Sequence, residues 1–135
     1  AVWQVEQIRE LYVTFASSEA IGLSSIASLV HPVGRDEDHG LGVQMNPEAT
    51  QKVMAPIAPG LFAQLGIERW GELQLGSSWA PNIDRGVIAL DGEREIEFRA
   101  VDKVRLSLDR LGPRVIDVSK ALGAAAKHGI MIQNC

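Results

Sequence analysis

Apolar and polar positions change places in short runs along most of this chain, and the runs predict strands more often than helices. ELYVTF, residues 10–15, is rich in β-branched and aromatic side chains and reads as a strand that stops before two serines. SSEAIGLSSIASLVHP follows, an apolar stretch holding five serines and an internal Gly22. It reads as a helix running to about Val30 and stopped by Pro32. Ser17 or Ser18 is the expected N-cap, with Glu19 in a first turn where the helix dipole favours a negative charge. GRDEDHG is a charged loop closed by Gly34 and Gly40, and LGVQM is a short strand. Pro56 and Pro59 forbid a regular helix interior or a central strand in VMAPIAPGLFAQLGI, which reads as an extended apolar segment lying against the core. GELQLG alternates as a strand does, and SSWAPNIDRG is a loop.

From Gly86 onward the β signal is clearest. VIAL and REIEF flank Asp91-Gly92, a strong hairpin signal. A two-residue turn would pair Leu90 with Glu93. Val87, Ala89, Ile96 and Phe98 would then share one face, while Ile88 and Leu90 would share the other with Glu93, Glu95 and Glu97. DKVRLSLDR alternates with Val104, Leu106 and Leu108 on one side, and RVIDV reads as one more strand. SKALGAAAKHG is a helix capped by Ser119 and ended by Gly129. Five to seven strands and two helices without βαβ alternation predict a mainly β fold: an antiparallel, sandwich-like layer with helices at its edges. No internal repeat or low-complexity segment interrupts it.

Composition narrows the function classes. The 135 residues are 46% hydrophobic and 22% charged, which fits one globular domain with a real core. A net charge of -4 favours neither a nucleic acid nor an anionic membrane as partner. No apolar run is long enough for a membrane-spanning helix. Glu6, Arg9 and Glu10 come too early for a signal peptide. The single cysteine, Cys135, rules out an internal disulfide framework and points to reducing cytoplasm. Position 1 is Ala rather than Met, as in a chain that is processed or cut from something longer.

Candidate chemistry is sparse. HPVGRDEDHG gathers His31, Asp36, Glu37, Asp38 and His39, all metal-ligand types. Their spacing matches neither a calcium loop nor a zinc pattern, so a solvated loop is the expectation. His128 complements a helix C-terminus. DGERE offers paired carboxylates, but turn geometry and an exposed face account for them. Walker loops, G-x-G-x-x-G, nucleophile elbows and H-E-x-x-H are all absent. Residues 17–32 carry two readings: a close-packed small-residue helix, or a helix N-terminus presenting N–H groups to an anion or a nucleotide edge.

Three blocks taken in order resemble NAD kinases. TFASSEAIGLSSIASLVHP is similar to that family's T-P-x-G-S-T-A-Y-x-L-S-A-G-G-P-x-x-x-P, with Thr14, Ala20, Leu23, Ser24 and Pro32 at matching positions. PIAPG at 56–60 is similar to P-I-x-P-H, and VIALDGE at 87–93 to a strand running into D-G-[QE]. The wording GLSSIA, HPVGRDE, APIAPG and GVIALDGEREIE most resembles the NAD-kinase-like branch that includes acetoin catabolism protein X, a relative of the diacylglycerol and sphingosine kinase fold.

The resemblance implies a C-terminal β domain of that kinase fold, covering residues 1–135, whose first block lines a dinucleotide pocket. Carried over, Ser18, Glu19, Ala20, Ile21 and Ser24 are the binding residues. Glu19 and Ile21 stand where the family has threonine and tyrosine, and Gly60 where it has histidine. The catalytic G-G-D-G loop is missing, so no catalytic residue and no metal ligand is assigned, and the chain is expected to be the inactive-alone C-terminal part of a longer protein. For that whole protein the resemblance implies NAD as substrate and ATP or polyphosphate with Mg as phosphate donor. It also implies assembly as a homo-oligomer or against its own N-terminal α/β domain. Two further readings stand beside it: a non-catalytic regulatory or oligomerisation module on the same scaffold, and a lipid-kinase-like domain whose apolar groove VMAPIAPGLF would line.

Overall fold

The computed structural model describes residues 4–133 and is mainly β with two α-helices. The central element is a four-stranded antiparallel sheet in the order β1-β2-β4-β3, built from β1 (Glu10–Val13), β2 (His39–Met45), β3 (Gln51–Ala58) and β4 (Leu61–Gln74). Helix α1 (Leu23–Val30) links β1 to β2 and covers one face. Beneath it the buried core comprises Ile26, Ala27, Leu41, Val43, Met45, Ala55, Ala63, Leu65 and Ile67, with Ala16 and Val33 beside them.

Pro56 sits where its missing N–H costs least. β3 is an edge strand, and its ladder slips between Pro56 and Ala58. The stretch expected to be an unpaired extended segment is therefore a hairpin. Its turn is Pro59-Gly60, with Gly60 at φ 74°. Pro59 presets the first turn residue, and the glycine supplies the left-handed second one.

A bulge in the ladder between β2 and β4 decides where the far end of β4 points. Gln44 pairs with Arg69, but Met45 pairs with Ile67, so Glu68 is extra. Before it, the odd residues Ala63, Leu65 and Ile67 face α1; after it, Trp70 and Glu72 lie opposite Val43 and Leu41, on that same face. The alternation of GELQLG thus belongs to the end of a long strand, and Glu72 is on the helix side.

Two smaller ladders complete the β structure. β5 (Ser78–Trp79) pairs with β8 (Leu106–Ser107), so SSWAPNIDRG holds a short strand rather than only loop. β6 (Arg85–Leu90) pairs with β7 (Arg94–Arg99) as Asp91-Gly92 predicts, with a different register. Leu90 lies opposite Arg94, not Glu93, leaving a three-residue loop with Asp91 at φ 53° and Gly92 at φ 72°. This one-residue shift sets Ile88 against Ile96 and Gly86 against Phe98, and leaves Val87 and Ala89 opposite Glu97 and Glu95. Ile88 and Leu90 consequently leave the acidic face, and Phe98 is buried.

The C-terminal region departs furthest from its pattern. RVIDV forms no strand: Val115 and Ile116 are 86% and 79% exposed. α2 (Val118–Lys127) begins one residue before Ser119. Its N-cap is Asp117, whose carboxylate accepts from Lys120 N–H at 3.0 Å. Gly129, at φ 65°, ends it as expected. Among the described residues, no helix is long and apolar enough to cross a membrane.

Candidate functional site

The segment singled out by its small residues divides into two parts. Ala16 and Val33 exchange backbone hydrogen bonds of 3.0 and 3.1 Å, bringing the two ends of the segment together. Beyond Ala16 the chain does not enter a helix. Ala20 N–H donates to Ser17 O at 3.0 Å, and Ser17 Oγ accepts from Glu19 N–H at 3.3 Å. The serine expected to cap the helix therefore closes a tight turn before it. The helix begins at Leu23, with Gly22 as N-cap at φ 102° and ψ -165°. That conformation is nearly confined to glycine. Glu19 accordingly lies outside the first helical turn.

Local hydrogen bonds hold this entry. Gly22 N–H donates to Pro56 O at 2.9 Å, and the Ser25 hydroxyl donates to Gly22 O at 2.6 Å. Ser28 Oγ donates to Ser25 O at 2.9 Å, so the two buried hydroxyls are satisfied inside the fold. Ser25, Ile26, Ala27 and Ser28 are the close-packed part. Of the predicted binding residues, Ser18, Glu19 and Ile21 are exposed, and Ala20 and Ser24 are half-buried. Ile21 is 59% exposed, and a Cβ on Gly22 would meet no atom within 4 Å. The five form a continuous rim from the turn to the helix start. A largely exposed turn and small-residue packing thus occupy consecutive halves of one stretch.

The three motif blocks are only partly united. The first and second meet where Gly22 bonds to Pro56, while Gly60 stands exposed at the β3–β4 tip. The third lies in the β6–β7 hairpin, beside an open depression of about 440 Å³ lined by Arg85, Val87, Glu97, Phe98, Arg99 and Asp102.

The charged loop is rearranged in a way the spacing does not announce. Asp36 is solvated, and Asp38 pairs with Arg110. His31 and His39 converge, joined by Glu72 from β4, which sequence reasoning missed. Its alternating strand was legible; the bulge that turns it toward the histidines was not. Tyr12, on β1, donates its hydroxyl to Glu10 and lies 5.7 Å from the Trp79 ring. Burial first, and then Glu10, push its phenol well above the ordinary range.

Relatives supply the family. The sequence profile of the acetoin catabolism protein X C-terminal domain matches residues 1–111. The chain belongs to this family. It is 40% identical over 133 residues to acetoin catabolism protein X of Cupriavidus necator, an alignment covering 97% of this chain and 37% of that protein. The chain therefore spans little more than a third of the length of the acetoin catabolism protein X it matches. No solved structure matches it.

Proposed function

We propose that this acetoin catabolism protein X C-terminal domain supplies one wall of a dinucleotide site in an NAD-kinase-like phosphotransferase. The observation that carries this reading is the rim Ser18–Ile21, largely exposed, followed by Gly22 as N-cap with open space where a side chain would stand. The first-turn N–H groups of a helix start can receive the polar edge of a nucleotide, and Ser18 and Ala20 of the rim stand at matching positions of the NAD kinase block. The 37% share of the relative's length leaves room in a longer chain for the G-G-D-G loop, the phosphate donor and Mg. On its own this chain carries no groups for phosphoryl transfer in that scheme; its part is binding and orientation.

A second reading, a non-catalytic regulatory or assembly module, is favoured by one feature. Glu19 places a negative charge, and Ile21 an apolar side chain, on the rim where a dinucleotide phosphate or ring would lie. Titration of the full-length protein with NAD and NADP by calorimetry separates the two. The dinucleotide reading predicts saturable heat, lost in Ser24→Leu, whose larger side chain would project at the helix start. It also predicts roughly two- to tenfold tighter binding in Glu19→Thr, because one exposed like charge is removed. No heat at millimolar ligand overturns it in favour of the second reading.

A further inference from the structure

The structure assigns a divalent transition-metal site, of the zinc type, to His31, His39 and Glu72, with the Glu37 carboxylate beside His39. These residues come from three separate places in the chain. His31 caps the C-terminal end of α1, and its ring stacks on Trp70 with centroids 4.8 Å apart and planes at 17°. His39 opens β2, and Glu72 lies on β4 on the helix-facing side that the Glu68 bulge creates. One donor atom from each of the two histidines and Glu72 lies within 4.8 Å of the others. His31 Nε2 and His39 Nε2 are each 3.8 Å from Glu72 Oε1, and His39 Nε2 is 3.1 Å from Glu37 Oε2.

His39 Nε2 is the decisive atom. It is fully shielded from solvent, yet no partner meets it with hydrogen-bond geometry; even Glu37 Oε2, near enough in distance, lies off the required direction. A buried imidazole nitrogen that faces carboxylate oxygens without a directed hydrogen bond is costly. A cation among the three donors removes that cost. Tetrahedral zinc with bonds of about 2.0–2.1 Å sets its donors about 3.3 Å apart, about half an ångström closer than the 3.8 Å from each imidazole to Glu72 here. His31 and Glu72 are both partly exposed, so their side chains are free to close the remaining distance. The Glu72 carboxylate, with the Glu37 carboxylate beside His39, offsets the charge of a divalent ion. Nitrogen and carboxylate donors together favour zinc-type ions over calcium or magnesium.

The surroundings support such a site. Arg110 pairs with Asp38 and reaches Glu37 O at 3.5 Å, tying down the loop that delivers Glu37 and His39. A bound ion would clamp the C-terminal end of α1 to β2 and β4. Its place is the opposite end of the helix from Gly22, so it is separate from the dinucleotide rim and stands or falls independently.

The test uses the tag-free chain, stripped with a chelator and titrated with zinc chloride by calorimetry, with thermal melts at each end point. One zinc per chain is expected to bind with a dissociation constant below about 10 μM and to raise the melting temperature with the logarithm of excess zinc. His39→Gln and Glu72→Gln should each weaken binding at least tenfold, whereas His128→Gln should leave it unchanged. Far-UV circular dichroism establishes that the variants fold. His31→Gln, at a half-exposed position, repeats the test where folding is least at risk. Cobalt should give the visible absorption of a tetrahedral site. Absence of saturable zinc binding, or equal affinity in wild type and in all three ligand variants, overturns the assignment.

Discussion

Gly22 and Tyr12 show how single residues fix this molecule. Gly22 adopts φ 102° with open space around its α-carbon, so the obstacle to a side chain is backbone strain and not a clash. Gly22→Ala should cost about 1–3 kcal/mol and lower the chemical-denaturation midpoint without change in m-value. Tyr12 is the chain's only tyrosine, so its ionisation can be followed directly by ultraviolet absorbance. Its folded-state pKa is raised, chiefly by burial and secondly by Glu10. Both states are protonated below the unfolded value of about 10, and there its contribution is intact. As pH rises above about 10, the unfolded state loses the proton first, and stability falls through the interval up to the folded value. Alkaline difference spectra should therefore show no phenolate at pH 10 in the folded chain, its appearance coinciding with unfolding. A midpoint near 10 with the fold intact would contradict this. At this scale the sequence was legible where geometry is local, as at Asp91-Gly92 and Gly129. It was misleading where nearby residues compete for one role: Asp117 caps α2 in place of Ser119, and Gly22 caps α1 while Ser17 closes a turn before it.

Among the elements, β4 carries the most consequence. Its extra residue, Glu68, reverses which side chains face α1 along its second half. Deleting Glu68 should turn Trp70 and Glu72 to the opposite face, end the stacking of His31 on Trp70, and shift the tryptophan emission toward that of an unstacked indole. Unaltered emission in a folded variant would mean that the bulge does not set this face. No period-two pattern reveals a bulge, which explains why GELQLG was readable as a strand while the meeting of Glu72 with His31 and His39 was not. The β6–β7 hairpin teaches the same lesson. Its turn residues were plain, but a three-residue loop moved the register by one and so exchanged the faces. In β3 the prolines correctly excluded a central strand; the edge position that accommodates Pro56 depends on the order of the whole sheet.

On the scale of the whole molecule, stability is concentrated before residue 111. The family match ends there, and the buried core contains only residues that precede it. After it come an irregular stretch with exposed Val115 and Ile116 and a helix without a buried residue. Limited trypsin digestion should cut first after Arg110 or Arg114, leaving a fragment whose melting temperature lies close to that of the intact chain. Early cuts at Arg9 or Lys52, in or beside the four-stranded sheet, would contradict this distribution. Ile26→Ala, by contrast, empties a fully buried position between α1 and the sheet, and should cost about 2–5 kcal/mol in denaturant unfolding. The mainly β architecture with two helices was legible from strand-length alternation. RVIDV misled because β-branched residues make a strand only when they pair, and this stretch joins none of the ladders. The rim at Ser18–Ile21 links these scales: a turn residue, a helix start and, in the proposed function, a wall of a larger protein's site. Hydrogen exchange of the full-length protein, with and without saturating NAD, tests that claim most directly. The account predicts slowed exchange at the amides of Ser18 to Ser24 when NAD is bound; unchanged exchange in this segment under saturation would contradict it.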